Sequence, residues 1–277
     1  MNALISKIKN EYKNEGILVV LKKACTFPFR FAWYRLGVKK QWHQDRWIFG
    51  KLFELLKGNE LSHNGMIFSF DNPCIQTKRK SRFLFGLGSY ERREILLAKK
   101  YLDINLPLIG LGGCVGVVAC ITDKIVTKKH IVVEANPHII PLLEKNKKAN
   151  DCKFEIVNKA IGYENTVDFY LDDNFVAGSV HKKTPRKISV RGITLKELTK
   201  DFKKINLFAD IEGAEIPLID NEIDVISEKV SILIIEFHPA INGKNEVERV
   251  TARLEKAGLQ CVMSNGIDSV FINSKIL

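Results

Sequence analysis

The stretch LPLIGLGGCVGVVACI (106 to 121), followed by HIVVEANP (130 to 137), constrains the fold of this chain most. An apolar run, a glycine-rich turn, a helical segment and a second apolar run ending in an acid follow one another in the order of a parallel β-α-β unit. Leu106 to Leu111 suits a central strand buried on both faces, and the glycines permit a tight turn with close strand-to-helix packing. Gly112, Gly113 and Gly116 would let backbone approach a nucleotide-like cofactor, and Glu134, 22 residues beyond Gly112, would accept hydrogen bonds from a ribose. Three glycines in five residues are often only a turn, so the weight lies on the ordered series of strand, loop, helix, strand and acid.

From residue 106 onward the same alternation continues. Strands are expected at 106 to 111, 130 to 135, 153 to 158, 205 to 210 and 231 to 238, with helices at 114 to 123, 137 to 149, 194 to 202, 213 to 220 and 246 to 257. Such a pattern predicts a parallel sheet with helices on both faces. Two more strand-like runs, 166 to 171 and 187 to 192, flank a polar segment inside the third crossover. The tail, LQCVMS and SVFINS around Asn265-Gly266, reads as a hairpin. A short strand at 65 to 70 and a helix at 89 to 102, capped by Ser89 with Glu91 in its first turn, precede the regular part.

The length of 277 residues accommodates one large domain, or a core with an N-terminal extension. Six cysteines without CxxC spacing fit reduced thiols in a cytosol, and neither a membrane span nor a signal peptide is expected, so the reading is an intracellular protein. The net charge of +11 is uneven: residues 1 to 60 hold twelve Lys/Arg, five Asp/Glu and all three tryptophans. Residues 2 to 24 form a basic amphipathic pattern, and 25 to 40 interleave aromatics with arginine and lysine. Either a helical lid on the core or a helix lying on an anionic membrane surface fits this composition, and the two can coexist.

In an open parallel sheet a ligand sits beyond the carboxyl ends of the strands. Those ends carry Gly110 to Gly116, Glu134, Asn158 with Lys159, Asp210 with Glu212, and Glu236 with His238. A single strand-end acid more often caps the next helix than performs chemistry. Polar residues at five successive ends point to a shared site.

With these residues in view, the sequence resembles the FkbM family of S-adenosylmethionine-dependent methyltransferases. The matching segments are GLGGCVGVVA, VVEANP, EIVNKAIG, FADIEGAEIPLI and ILIIEFHP, across about residues 106 to 240, and DIEGAE is the most specific. The resemblance implies a class I methyltransferase fold: a Rossmann-like, seven-stranded, mostly parallel α/β sheet with a C-terminal antiparallel hairpin. It places a helical N-terminal extension at 1–103 and an S-adenosylmethionine-binding core at 104–277. The implied reaction is O-methylation of a hydroxyl on a sugar, surface glycan or small natural product. Carried over by position, Gly110, Gly112, Gly113 and Gly116 pass the methionine part of the cofactor, Glu134 holds the ribose, and Asn158 lies near the adenine. Asp210, Glu212 and Glu215 match the acids around DIEGAE, and His238 matches a strand-five histidine. One position departs from the family: two residues before the first glycine, where an acid normally helps fix the cofactor's ammonium, stands Gly110. Another residue must serve there, or binding is weaker.

Methyl transfer to an alcohol requires alignment of the acceptor oxygen and removal of its proton. Asp210 or His238 is the expected base, with Glu212 as the alternative, and a histidine needs little tuning to act near neutral pH. An equally good reading makes Glu212 and Glu215 acids at a helix start, favoured by its dipole. The spacing of Asp210, Glu212 and His238 is not diagnostic of a metal, and none is expected. Lys182, Lys183, Arg186 and Lys187 suit either an anionic glycan or a solvated strand edge.

Three rival functions remain open on the sequence. A nicotinamide-dependent oxidoreductase would use the same loop and ribose acid, but the terminal hairpin and ADIEGAE argue against it. A nucleic-acid methyltransferase is invited by the net charge, yet Asp210-Ile211-Glu212-Gly213 replaces the D/N-P-P-aromatic segment such enzymes carry, and its extra acid repels phosphate. No nucleic-acid partner is expected. A non-catalytic membrane-surface module is the third, motivated by Gly110 and the basic aromatic N-terminus. The location expected is cytoplasmic, with peripheral contact to the inner face of the membrane as the variant.

Overall fold

The computed structural model describes residues 60–70, 90–171, 178–180 and 184–276. The expected N-terminal helix at 2 to 24, the aromatic segment 25 to 40, Ser89, Lys182 and Lys183 lie outside the described residues.

A hairpin, β1 (Glu60–His63) and β2 (Met66–Ser69), precedes helix α1 (Arg92–Tyr101). Then follow β3 (Leu108–Leu111), α2 (Val117–Asp123), β4 (His130–Val133), α3 (Ile140–Ala149) and β5 (Glu155–Val157). The third crossover holds β6 (Ala160–Ile161), β7 (Thr166–Leu171), β8 (Arg186–Ile193) and the short α4 (Leu195–Leu198). The remainder is β9 (Ile205–Ala209), α5 (Glu215–Lys229), β10 (Val230–Glu236), α6 (Pro239–Asn242), α7 (Lys244–Ala257), β11 (Leu259–Ser264) and β12 (Asp268–Asn273).

Seven strands form one sheet in the order β11-β12-β10-β9-β3-β4-β5. Neighbours are parallel except at β12, which runs antiparallel to both β10 and β11. Every residue of β4 and β9 is buried, as continuous apolar strands must be when helices cover both faces. The chain leaves β3 toward β4 and β5, then returns to β9 and β10 on the other side. A crevice therefore opens beyond the carboxyl ends of β3 and β9, where the strand order reverses. The two strand-like runs inside the third crossover are β7 and β8, which join β6 in a separate three-stranded sheet.

The structure moves several expected boundaries. The helix expected from residue 114 starts at Val117, because Cys114 and Gly116 take left-handed backbone with φ of 43° and 89°. α1 begins at Arg92 behind Glu91, which has φ 47° and makes no side-chain cap. The helix expected at 213 to 220 runs on to Lys229 through a kink at Glu222. In the fold Glu222 turns inward and its carboxylate accepts from the N–H groups of Leu195 (2.6 Å) and Lys196 (2.7 Å), capping α4.

The hairpin is tied to the core by polar bonds as well as apolar contact. Fully buried Asn146 of α3 accepts from Ser69 N at 2.7 Å and donates to the carbonyls of Ser69 and Val115. One turn later Asn150 makes the same reciprocal pair with Ile67. α1 packs its Ala98 and Leu102 against Phe208 and Ile234 of the sheet. Among the described residues no helix is long and apolar enough to cross a membrane.

Candidate active site

A cleft opens at the reversal point. Its floor is the glycine loop with Gly112, Gly113 and Cys114; one wall is Glu134, Ala135 and Asn136 after β4 with Lys159 to Ile161. The other wall is Asp210, Ile211 and Glu212 after β9, with Glu236 at the end of β10. Tyr90, Glu91 and Glu94 at the head of α1 close one end, and Phe169 of β7 with Gly178 and Val180, on either side of a residue bridged to β7, close another.

The loop is pinned to both neighbouring strands. Gly112 N and Gly113 N donate to the carbonyl of Val133 at 2.9 and 3.0 Å, and Asp210 N donates to the carbonyl of Leu111 at 3.0 Å. Gly112 has φ 92°, and a Cβ there would fall 1.8 Å from the Asp210 carbonyl oxygen. Gly116 has φ 89° and its missing side chain faces Leu143. The requirement for glycine at 112 and 116 is thus set by the protein's own backbone and packing. Of the four glycines expected to line the cofactor, Gly112 and Gly113 line the cleft; Gly116 precedes α2, and Gly110 lies within β3, paired with Val132 and Phe208.

Glu134 is buried and both its oxygens point at backbone: Oε2 accepts from Cys114 N and Oε1 from Asn136 N, each at 2.7 Å. Burial raises its pKa, and the amides of Asn136, Cys114, Ala135 and Gly113 hold the rise in check. A carboxylate has about four lone-pair directions, so acceptor capacity remains toward the cleft. Asn158 is exposed and outside the lining; its amide donates to the carbonyl of Glu134 at 2.8 Å and steadies that strand end.

Behind the opposite wall lies a carboxylate-histidine-carboxylate chain. Glu215, with no exposed side-chain surface, accepts from Gly213 N (3.0 Å) and Ile211 N (3.1 Å) and meets His238 Nδ1 at 3.0 Å. The other ring nitrogen, Nε2, lies 3.6 Å from Asp210 Oδ1 and 3.5 Å from Glu212 Oε2. Burial alone would depress the histidine, but the Glu215 bond and the surrounding carboxylates outweigh it and raise its pKa to about 9. The same carboxylates therefore favour the protonated ring. The ring is also behind the cleft lining, whereas Asp210 and Glu212 reach the surface of it.

Asp210 Oδ1 is buried with no hydrogen-bond partner among the described residues. Burial first, then the charges of Glu212, Glu215 and Glu91, push this carboxyl well above the ordinary carboxylate range, while His238 pulls it back. Glu236 is raised to about 9 by burial, Asp210 and Glu94. Asp210, Glu215 and His238 each bring one ligand-type atom within 4.8 Å of the others, but both oxygens of Glu215 are already engaged by backbone N–H groups and the ring.

The head of α1 carries the contributions that the strand-end reading missed: Tyr90, Glu91 and Glu94. An aromatic followed by acids just ahead of the first core strand was their only signal. The basic segment of the third crossover turns away from the chemistry where it is described. Lys187 pairs with Asp168 at 3.0 Å, both half-exposed, as on a solvated strand edge. Ser179, buried, instead donates from Oγ to the Glu212 carbonyl at 2.5 Å and ties this segment to the β9 wall.

A wall of several carboxylates, in which the buried Asp210 Oδ1 has no hydrogen-bond partner among the described residues, suits a cationic group, and with Glu134 beside the glycine loop it fits S-adenosylmethionine, whose sulfonium and ammonium are positive. Among curated proteins none matches this sequence. Solved structures that align include a putative RNA methyltransferase from Pyrococcus horikoshii, 12% identical over 67% of this chain and 82% of that one, TM-score 0.40. Others are fibrillarin from Aeropyrum pernix with bound S-adenosyl-L-methionine (11%, 65% and 73%, TM-score 0.40) and precorrin-6y C5,15-methyltransferase from Geobacter metallireducens (13%, 65% and 86%, TM-score 0.38). The methyltransferase FkbM domain matches residues 111–261, more than half of the 277-residue chain. The chain belongs to the FkbM methyltransferase family, and it is an S-adenosylmethionine-dependent methyltransferase.

Proposed function

We propose that this methyltransferase acts on a hydroxyl oxygen of an uncharged sugar, glycan or small natural product, with Asp210 as the base. The observation that carries the reading is the Asp210 carboxylate, which lines the cleft while its buried Oδ1 is turned to the His238 ring at 3.6 Å. S-adenosylmethionine, when bound, supplies a methyl group already activated by its sulfonium. The protein then has to hold an acceptor oxygen in line and remove its proton.

Asp210 is suited to that proton. Its proton affinity is raised by burial and by Glu212, Glu215 and Glu91, which brings a carboxylate closer to the operating pH. His238 acts as a positioning residue, fixed through Nδ1 by Glu215 and drawing the proton affinity of Asp210 back down through its charge. Glu212 shares the wall and orients the acceptor. The loop Gly112 to Cys114 and Glu134 hold the methionine and ribose parts of the cofactor. Ala135, Asn136 and Lys159 to Ile161 line the side where the adenine belongs.

The same carboxylates favour a neutral acceptor over nucleic acid, because a phosphate backbone would meet Glu91, Glu94, Asp210, Glu212 and Glu236. A screen that follows S-adenosylhomocysteine release over neutral glycans, simple sugars and hydroxylated small molecules, with RNA oligomers and amines as comparison arms, tests this. Turnover on a hydroxyl acceptor, with an O-methyl product by mass spectrometry, is expected. Turnover confined to RNA or to amines would overturn it.

A further inference from the structure

Gly110 leaves β3 without a side chain at a position that would accept a Cβ. Its backbone is ordinary extended strand, and the nearest atoms to a Cβ there would be His130 Nε2 at 3.7 Å, Ile131 O at 3.8 Å and Val132 Cγ2 at 3.9 Å. These are ordinary contact distances, so packing does not impose the glycine. In the pairing of β3 with β9, Gly110 stands opposite Phe208, and that ring lines the cleft. The face of the sheet onto which a side chain at 110 would project is the one α1 covers, through the contacts of Ala98 and Leu102 with Phe208 and Val118.

Glu91 stands at the head of that same helix. It shares the cleft lining with Tyr90 and with Val118, in the first turn of α2 directly after the glycine loop. It lines the cleft beside Gly112 and Cys114. Its φ of 47° is rare for a residue with a side chain, and the two other cleft residues in this conformation are Cys114 and Glu212. Of the neighbouring acids, Glu236 lies 3.9 Å from His238 Nε2, and Glu94 and Glu236 cluster with Asp268, their ligand-type oxygens within 4.8 Å of one another.

We propose that Glu91 supplies the carboxylate that β3 lacks, reaching over the start of α2 to hold the ammonium of the cofactor's methionine moiety. This rests on the reading of the cleft as the S-adenosylmethionine site. Burial and the charges of Glu94 and Glu236 raise Glu91 to about 8, while Tyr90 and Val118 N–H stabilise its anion; an ammonium would supply the missing countercharge.

Calorimetric titration of the full chain with S-adenosylhomocysteine and, separately, with 5′-deoxy-5′-methylthioadenosine separates the two claims. The second ligand keeps the adenosine and the sulfur but has no ammonium. Glu91→Gln is expected to weaken S-adenosylhomocysteine roughly 10- to 100-fold, the range of a charged hydrogen bond, and to leave methylthioadenosine within about twofold. Adding Gly110→Asp to Glu91→Gln is expected to recover most of the loss. An unchanged S-adenosylhomocysteine affinity in Glu91→Gln, or an equal loss for both ligands, overturns the assignment while the cofactor site stands. Wild-type protein that binds neither ligand overturns the cofactor reading itself. Should Glu91→Gln not fold, the wild type still decides. Titrations at pH 7 in buffers of different ionisation enthalpy should show proton release with S-adenosylhomocysteine and none with methylthioadenosine, and equal release from both contradicts the role.

Discussion

His238 Nδ1 lies 3.0 Å from Oε1 of Glu215, a carboxylate with no exposed side-chain surface, and this contact decides the charge of the ring that backs Asp210. The histidine pKa of about 9 stands well above the ordinary 6.5. A group raised in the folded state contributes stability that is fully present below its unfolded value, near 6.5, and lost as pH rises through about 9. Urea denaturation of wild type and His238→Gln should therefore show a stability difference that shrinks between pH 6.5 and 9.5 by on the order of 2 to 3 kcal/mol. A difference that stays flat across that range would mean the ring is neutral.

Glu215 should matter to both stability and titration. Its oxygens hold Ile211 N, Gly213 N and His238, so Glu215→Ala strands three polar groups and should cost about 3 to 5 kcal/mol by denaturant melt. Glu215→Gln keeps the shape and removes the charge. The His238 resonance followed by NMR should then titrate at least one unit lower than in wild type, and an unmoved midpoint would refute the link.

Two glycines separate crowding from backbone conformation. Gly112 and Gly266 share a left-handed φ, 92° and 87°, but a Cβ at 112 would fall 1.8 Å from the Asp210 carbonyl while nothing lies within 4 Å at 266. Gly266→Ala should cost only about 1 to 2 kcal/mol of conformational strain. Gly112→Ala should cost more than about 3 kcal/mol and displace Asp210. Equal losses in the two variants would show that the close approach of the loops after β3 and β9 is not a constraint.

The sheet was legible because β3, β4, β9 and β10 are buried on both faces and so must be apolar runs, and because Asn265-Gly266 marks the turn between β11 and β12. Glu134, Asp210 and Glu212 were legible because strand ends in this topology can only face the crevice. Three things were not. The charge of His238 depends on Glu215, which is adjacent only after α5 folds back beneath the strand end. The need for glycine at 112 depends on the carbonyl of Asp210, about a hundred residues away. The placement of Glu91 depends on how α1 crosses the sheet, and an acid at the head of a helix reads, in sequence, as a dipole partner.

Asn146 offers a test of how the hairpin is held. Asn146→Ala leaves Ser69 N and the carbonyls of Ser69 and Val115 without their partner in a fully buried position. A loss of about 2 to 4 kcal/mol is expected. Hydrogen exchange should accelerate at Ile67 and Ser69 before it does in β9. Uniform acceleration across the protein would argue that the hairpin does not open separately.

The role of Asp210 as the base is tested most directly by the single-turnover rate of Asp210→Asn on a hydroxyl acceptor from the screen, measured beside its affinity for S-adenosylhomocysteine. The arrangement of Asp210 with His238 and Glu215 predicts a rate at least about 100-fold below wild type with affinity within about threefold, as expected when a general base is removed from an intact cofactor site. A variant that binds the same ligand equally well and transfers the methyl group at the wild-type rate would contradict it.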